Sequence, residues 1–412
     1  MEKNFGFIFA LIIMAMLYVS CDSETILTER TNHEESAIAS DPSKDIIAKA
    51  NLYYSMLPGK TRSAMPQVAK IEKIGAGMTR SEESPSYYIV NYENEAGFVV
   101  VGDNEFSEPV VALSDEGNLQ LEDTLTNPAL GAFINSLTLP PIVRDSDFYK
   151  PHPDVPVYNR VSVAPLLNPN VRKWGDGEPF NKYAPIVEIP SGKRAKVGCL
   201  PVSCAMLMTY DRWPNSYDFA HYDWDAITND KCNDTLCKML VTMAGYRELN
   251  TRYGRDETIS NIDMITVDHM LRSFYSGIVT DNGKKLKDFD VSSASKVYEQ
   301  LPLIMWGDVV RKGKTYTETW VIDGLLHVFP IDEEYGGITK QTYFMHCVWG
   351  KYGVGNGYYE LTRLDEIGGS RFKSDSSDGT FEGYSNTNEV DTYNNNSYLF
   401  KLCKNLPMID YL

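Results

Sequence analysis

The sequence is poor in histidine, in closely spaced cysteine pairs and in positive charge. Six histidines serve 412 residues, so any imidazole chemistry has few candidates. Lys and Arg number 39 against 56 Asp and Glu, a net charge of −17. That balance leaves no electrostatic case for a nucleic-acid partner, whose affinity comes mostly from a basic face. No CxxC pair occurs, which argues against cysteine-cluster zinc, and no cofactor is expected. Past the N-terminus, no segment is apolar for the roughly twenty residues that a spanning helix needs. The hydrophobic and charged shares, 43% and 23%, rule out a mainly disordered, collagenous or disulfide-scaffold chain. At roughly 100–200 residues per domain, the length allows two or three domains.

What is present begins with an address. Phe5 to Val19 is almost continuously apolar and follows Lys3, which suits a signal peptide over residues 1–21. The run stops at Ser20-Cys21, which resembles a bacterial lipobox with Tyr18 where a small aliphatic residue is usual. On that reading Cys21 is acylated, and residues 22–42, rich in Ser, Thr, Glu and Asn, form a polar tether. The chain is then expected in the bacterial cell envelope, as an outer-membrane or cell-surface lipoprotein held by its N-terminal lipid. Ordinary secretion, with Cys21 incidental, is the alternative. The remaining six cysteines form no dense disulfide framework, although Cys232 and Cys237 stand close enough in sequence for a local bridge.

Two bodies follow. The first, residues 43–145, opens with a helix pattern over Ser43–Met56, where Ile46, Ile47, Ala50, Leu52 and Tyr53 oppose a polar face. Strand patterns at Tyr87–Tyr92, Phe98–Val101 and Val110–Leu113 follow, with Ser114-Asp115-Glu116-Gly117 as a turn. Pro140-Pro141 and the Pro-rich stretch 151–156 mark the joint. The second body, residues 146–412, contains a helix from Cys199 that is apolar on nearly all sides, hence buried. Pro201 is tolerable only in its first turn. Further helix patterns lie at Thr235–Tyr246 and Met264–Phe274. Strands are predicted at Leu303–Trp306, Thr319–Asp323, Thr342–Val348, Gly357–Thr362 and Tyr398–Leu402, and a long polar loop at 375–396. Helices followed by antiparallel strands give an α+β class.

Cys199 carries the chemical interest. A thiol at the first turn of a buried helix lies near unsatisfied N–H groups and the positive end of the helix dipole. Such a placement lowers a thiol pKa and favours a nucleophile; an inert structural cysteine is the alternative. Nucleophilic catalysis also needs a base, a group to orient it and an oxyanion donor.

The ordered motifs Trp174–Asn181 (WGDGEPFN), Gly198-Cys199, Trp213-Pro214, Tyr222-Asp223-Trp224-Asp225, Tyr253-Gly254, Val321-Ile322-Asp323-Gly324 and His346-Cys347-Val348-Trp349-Gly350 resemble the streptopain family of papain-fold cysteine peptidases. Gly97-Phe98-Val99-Val100 and Ser114–Gly117 resemble the inhibitory pro-domain of those enzymes. The resemblance implies a papain-like fold preceded by a small α+β pro-domain, with Cys199 at the nucleophile position. It also exposes three departures. The family's G-H-A-x-V-I-D-G reads TETWVIDG here, which puts Glu318 at the base position. Val348 stands at the orienting Asn position, and Asp176 at the oxyanion-hole Gln. Trp174, Trp349 and Gly198 are retained as candidate binding residues.

These changes act in one direction. A carboxylate at position 318 raises the thiol pKa that an imidazolium would depress. Val348 orients nothing, and losing one oxyanion donor costs about 10²–10³ in rate. The expectation is a pseudopeptidase that binds peptide or protein in a retained groove. Alternatives are an active cysteine-type endopeptidase using Cys199, and a cation site made by Cys199, Asp176 and Glu318. With no catalysis to restrain, the two bodies are expected to remain one unit.

Overall fold

A computed structural model describes residues 42–137 and 158–360 apart from short internal stretches, of which 76–83 and much of 261–300 are the longest, together with strands 380–384 and 390–403. The signal and tether segments, the proline-rich joint and most of the Met264–Phe274 pattern lie outside the described residues.

The N-terminal unit begins with α1 (Pro42–Tyr54), which buries Ile46, Ala50, Tyr53 and Tyr54 on one stripe. An antiparallel sheet follows: β1 (Val68–Lys73), β2 (Tyr87–Tyr92), β3 (Phe98–Gly102) and β4 (Val110–Ser114). Helix α2 (Pro128–Ser136) starts where the Asn127 side chain accepts from Leu130 N, with Pro128 in the first turn. Both features favour helix initiation.

The larger unit contains β5 (Tyr158–Val163), α3 (Cys199–Asp211), α4 (Trp224–Asn229), α5 (Asp234–Ala244), and strands β6 (Leu303–Arg311), β7 (Lys314–Asp332), β8 (Thr342–Val348) and β9 (Gly357–Glu360). Strands β10 (Thr380–Tyr384) and β11 (Val390–Cys403) complete it. The long polar loop expected over 375–396 is therefore corrected. Its Thr- and Tyr-bearing segments form a hairpin, and β11 pairs with β6, because backbone hydrogen bonding along a sheet edge does not need an apolar sequence. Asp223 and Asn233 cap α4 and α5 by accepting backbone N–H groups of the first turn.

The two units share one sheet. Its strand order runs β1-β2-β3-β4-β9-β8-β7-β6-β11, with the short strand Val279–Thr280 beyond β11, and with β4 joined to β9 through Tyr358↔Leu113 and Tyr359↔Ala112. The period-2 alternation of strands divides the side chains between two faces. Val321 and Val348 face α3 and α5, within a core that also holds Met206, Leu240 and Met243. Trp320, Ile322, Met345, Cys347 and Trp349 belong to a second core shared with Phe98, Leu119, Leu130 and Phe133 of the N-terminal unit. A third core packs α1 against β2–β4 and against Leu326, Val328 and Phe344.

Candidate active site

Helix α3 is fixed at its start by Gly198, which adopts φ +93°, and at its end by Arg212 in the left-handed region. Every residue from Cys199 to Thr209 is buried, as the all-round apolar pattern predicts. Cys199 thus sits at the first turn, and its sulfur meets the edge of β7. Pairing of β7 with β8 stops at Val321↔Val348, so the preceding residues of β7 lack a strand partner on that side. The thiol fills the gap: Thr319 N donates to Sγ at 3.3 Å, and Sγ donates to Thr317 O at 3.5 Å. Ser203, one turn on, shares a 3.0 Å hydrogen bond with the Thr319 hydroxyl. A protonated Sγ can donate to that carbonyl, whereas a thiolate has no proton to give. Burial and the nearby Glu318 push the Cys199 pKa up to about 12, against a smaller lowering by Lys351 and Thr319. The lowering expected from the helix dipole is overridden, since desolvation of the charged form dominates inside a protein.

Asp176 and Glu318 do converge on this point, through a residue that the sequence did not announce. Lys351 follows the Trp349-Gly350 motif, and its ammonium lies 2.9 Å from Asp176 Oδ2 and 3.6 Å from Glu318 Oε2. Both Lys351 and Asp176 are buried. Lys196 approaches the other Asp176 oxygen at 3.7 Å. Burial pushes the Asp176 carboxyl up, but the two ammonium groups outweigh it and hold the acid below its ordinary value. Burial likewise opposes the Lys351 charge, and Asp176 and Glu318 together raise its pKa. The result is a buried ion-paired cluster beside a protonated thiol. The signal that could have revealed Lys351 is charge balance, because two acids inside a core require a cation.

Backbone contacts stitch this cluster together. Gly175 and Lys351 form an isolated antiparallel bridge, and Tyr352 N donates to Trp174 O at 3.0 Å. Gly177 N donates to the Tyr352 hydroxyl at 2.8 Å. The Tyr352 ring lies so close to Gly175 that an added Cβ would sit 2.5 Å from it, so a larger residue there would have to displace the ring.

The other candidates are structural in their surroundings. Val348 is fully buried against α3 and donates no side-chain hydrogen bond. Trp174 packs on Phe180 with centroids 6.3 Å apart, and Trp349 packs on Trp320 and Tyr359. Both indoles are buried. Cys237 is a buried thiol facing Pro179 O, and Cys232, its expected bridge partner, lies outside the described residues. Among the described residues, no three His, Cys, Asp or Glu side chains gather as a metal site. Lys351 supplies the positive charge that an acidic pocket would have sought elsewhere.

No described histidine meets Cys199. His346 Nδ1 lies 2.5 Å from Asp323 Oδ1 in a fully buried pair, and its ring packs on Tyr358. His327 stacks on Tyr343, His269 pairs with exposed Glu248, and His221 lies in the exposed 220–221 strand.

A buried Cys at the head of a central helix, packed against an antiparallel sheet and preceded by a small α+β unit, defines a papain-like cysteine-peptidase fold with a pro-domain. Residues 174–359 match the Peptidase C10 family and residues 48–139 match the Spi protease inhibitor family; the chain thus contains a Peptidase C10, or streptopain-family, domain preceded by an inhibitor-type pro-domain. Solved structures similar to it include a Prevotella intermedia prointerpain A fragment, 16% identical, covering 83% of this chain and 100% of that one at TM-score 0.49. Active wild-type interpain A, a cysteine protease of the same organism, is also 16% identical, covering 58% of this chain and 94% of that one at TM-score 0.36. No curated protein matches the sequence.

Proposed function

We propose that this chain is a pseudopeptidase: a streptopain-family protein that binds peptide or protein without cutting it. The observation that carries the reading is the engagement of Cys199 as a thiol donor to Thr317 O, with Glu318 at the base position and Lys351 pairing the acids around it. Attack on a carbonyl requires a thiolate and a base to return its proton. Here burial and the neighbouring Glu318 carboxylate both disfavour the thiolate. The Asp176 carboxylate at the oxyanion position opposes a developing negative charge. The match to a peptidase family and an inhibitor-type domain supports a polypeptide ligand.

The working-peptidase alternative rests on the family match alone. The cation-site alternative is disfavoured by the Lys351 ammonium between the two acids. The proposal places the mature protein at the cell envelope through a lipid on Cys21, which rests on the Ser20-Cys21 junction. Radiolabelled-acyl incorporation that persists in a Cys21→Ser variant would remove that part.

Binding is tested by titrating reduced protein with a peptide mixture from partly digested casein, read by mass spectrometry of what co-purifies and of what is newly cut. Retained, uncut peptides are expected. New cleavage sites that vanish in Cys199→Ala would overturn the proposal.

A further inference from the structure

The loop that presents Lys351 is clamped on its far side by the pro-domain. Trp349 N donates to the Asn356 side chain at 3.1 Å, Trp349 Nε1 donates to Gly355 O at 2.8 Å, and Asn356 Nδ2 donates to Arg172 O at 2.9 Å. These bonds make residues 349–356 one closed turn. Gly355 lies at φ +67°, and an added Cβ would meet Leu130 of α2 at 2.8 Å and Leu119 at 3.5 Å. Phe133 of α2 meets the Tyr359 ring edge-on at 4.9 Å, and Tyr359 in turn meets Trp349 at 5.1 Å.

Polar contacts cross the same boundary. Arg172 pairs with Glu116 at 3.3 Å. Arg160 donates to Ser55 O and Leu57 O just past the end of α1. With the β4–β9 pairing and the second core, these contacts make the boundary a continuous sheet with a shared apolar layer. Separation would expose Trp320, Met345, Trp349 and Tyr359, all now buried. Returning these large apolar side chains to water is a strong bias against release.

We infer that the pro-domain here is a permanent structural part of the protein, and that it holds the 349–356 loop, and with it Lys351, in place beside Cys199. The inference stands on packing and does not require the site to be inactive. Peptidase activity is not its readout, so the two readings fail separately.

The test uses the full chain with a specific-protease sequence placed within residues 138–157, cut to completion and run by size exclusion in native buffer. Co-elution of both pieces is expected. Release of the N-terminal piece, whether or not the remainder stays soluble, overturns the inference. Phe133→Ala in the uncut chain tests the clamp, with alkylation followed at Cys199 and, as a control for general loosening, at the buried Cys237 of α5. Faster labelling at Cys199 alone is expected. Equal acceleration at both cysteines, or none at either, would show that the pro-domain does not hold the loop.

Discussion

Lys351 Nζ lies 2.9 Å from Asp176 Oδ2, and both side chains are buried. The acid and the lysine form a unit whose charges have meaning only together. Removing one partner of a buried pair costs about 3–5 kcal/mol, whereas replacing both with neutral groups of similar volume is often close to neutral. Lys351→Met should therefore lower unfolding stability by about 3–5 kcal/mol, and Asp176→Asn added to it should recover much of the loss. Guanidinium denaturation of the single and double variants checks this. A Lys351→Met variant as stable as the parent would contradict the pairing.

The same pair sets an acid limit. The folded-state pKa of Asp176 is depressed, so its contribution is complete above the unfolded carboxyl value of about 4 and is lost as pH falls through the lower folded value. Between about pH 5 and pH 3, Asp176→Asn should lose less stability than the parent. Parallel slopes in thermal melts across that window would count against the assignment.

Cys199 sets an alkaline limit of opposite sign. Its folded pKa is raised to about 12, above the unfolded value of about 8.5. The contribution is full below about pH 8.5 and declines as pH rises toward the folded value. Iodoacetamide labelling at Cys199 should stay far slower than for a free thiol at neutral pH and should rise only at strongly alkaline pH. Cys199→Ser should fold well because a hydroxyl can still accept from Thr319 N and donate to Thr317 O, whereas Cys199→Ala should cost about 1–3 kcal/mol by stranding those groups.

Val348 lies inside the core beside α3. Val348→Asn would bury an amide with no hydrogen-bond partner among its apolar neighbours. A loss of about 1–3 kcal/mol is expected, with no gain in thiol reactivity. Unchanged stability with faster Cys199 labelling would show that the position still serves the site.

Much of this was legible in the sequence for definite reasons. Helix α3 could be read from Cys199 because Pro201 fixes the start and the apolar residues continue on every side. The strands at Tyr87, Phe98, Val110 and Thr342 announced themselves through β-branched and aromatic runs between turn residues. That Cys199, Asp176 and Glu318 could converge was implied only by the family resemblance. Lys351 could not be read this way, since a lone lysine after Trp-Gly resembles a solvated loop residue until its partners are placed around it. Strands β10 and β11 were missed because polar residues hide a strand whose stability comes from backbone pairing with β6. The join between β4 and β9 was also invisible, as strand partners 245 positions apart leave no local signal.

The most direct measurement is digestion of casein by the reduced protein, run intact and after cutting within residues 138–157, with Cys199→Ala as the control. The account predicts that parent and control are indistinguishable in both forms. Casein cleavage present in the parent and absent from Cys199→Ala, in either form, would contradict it.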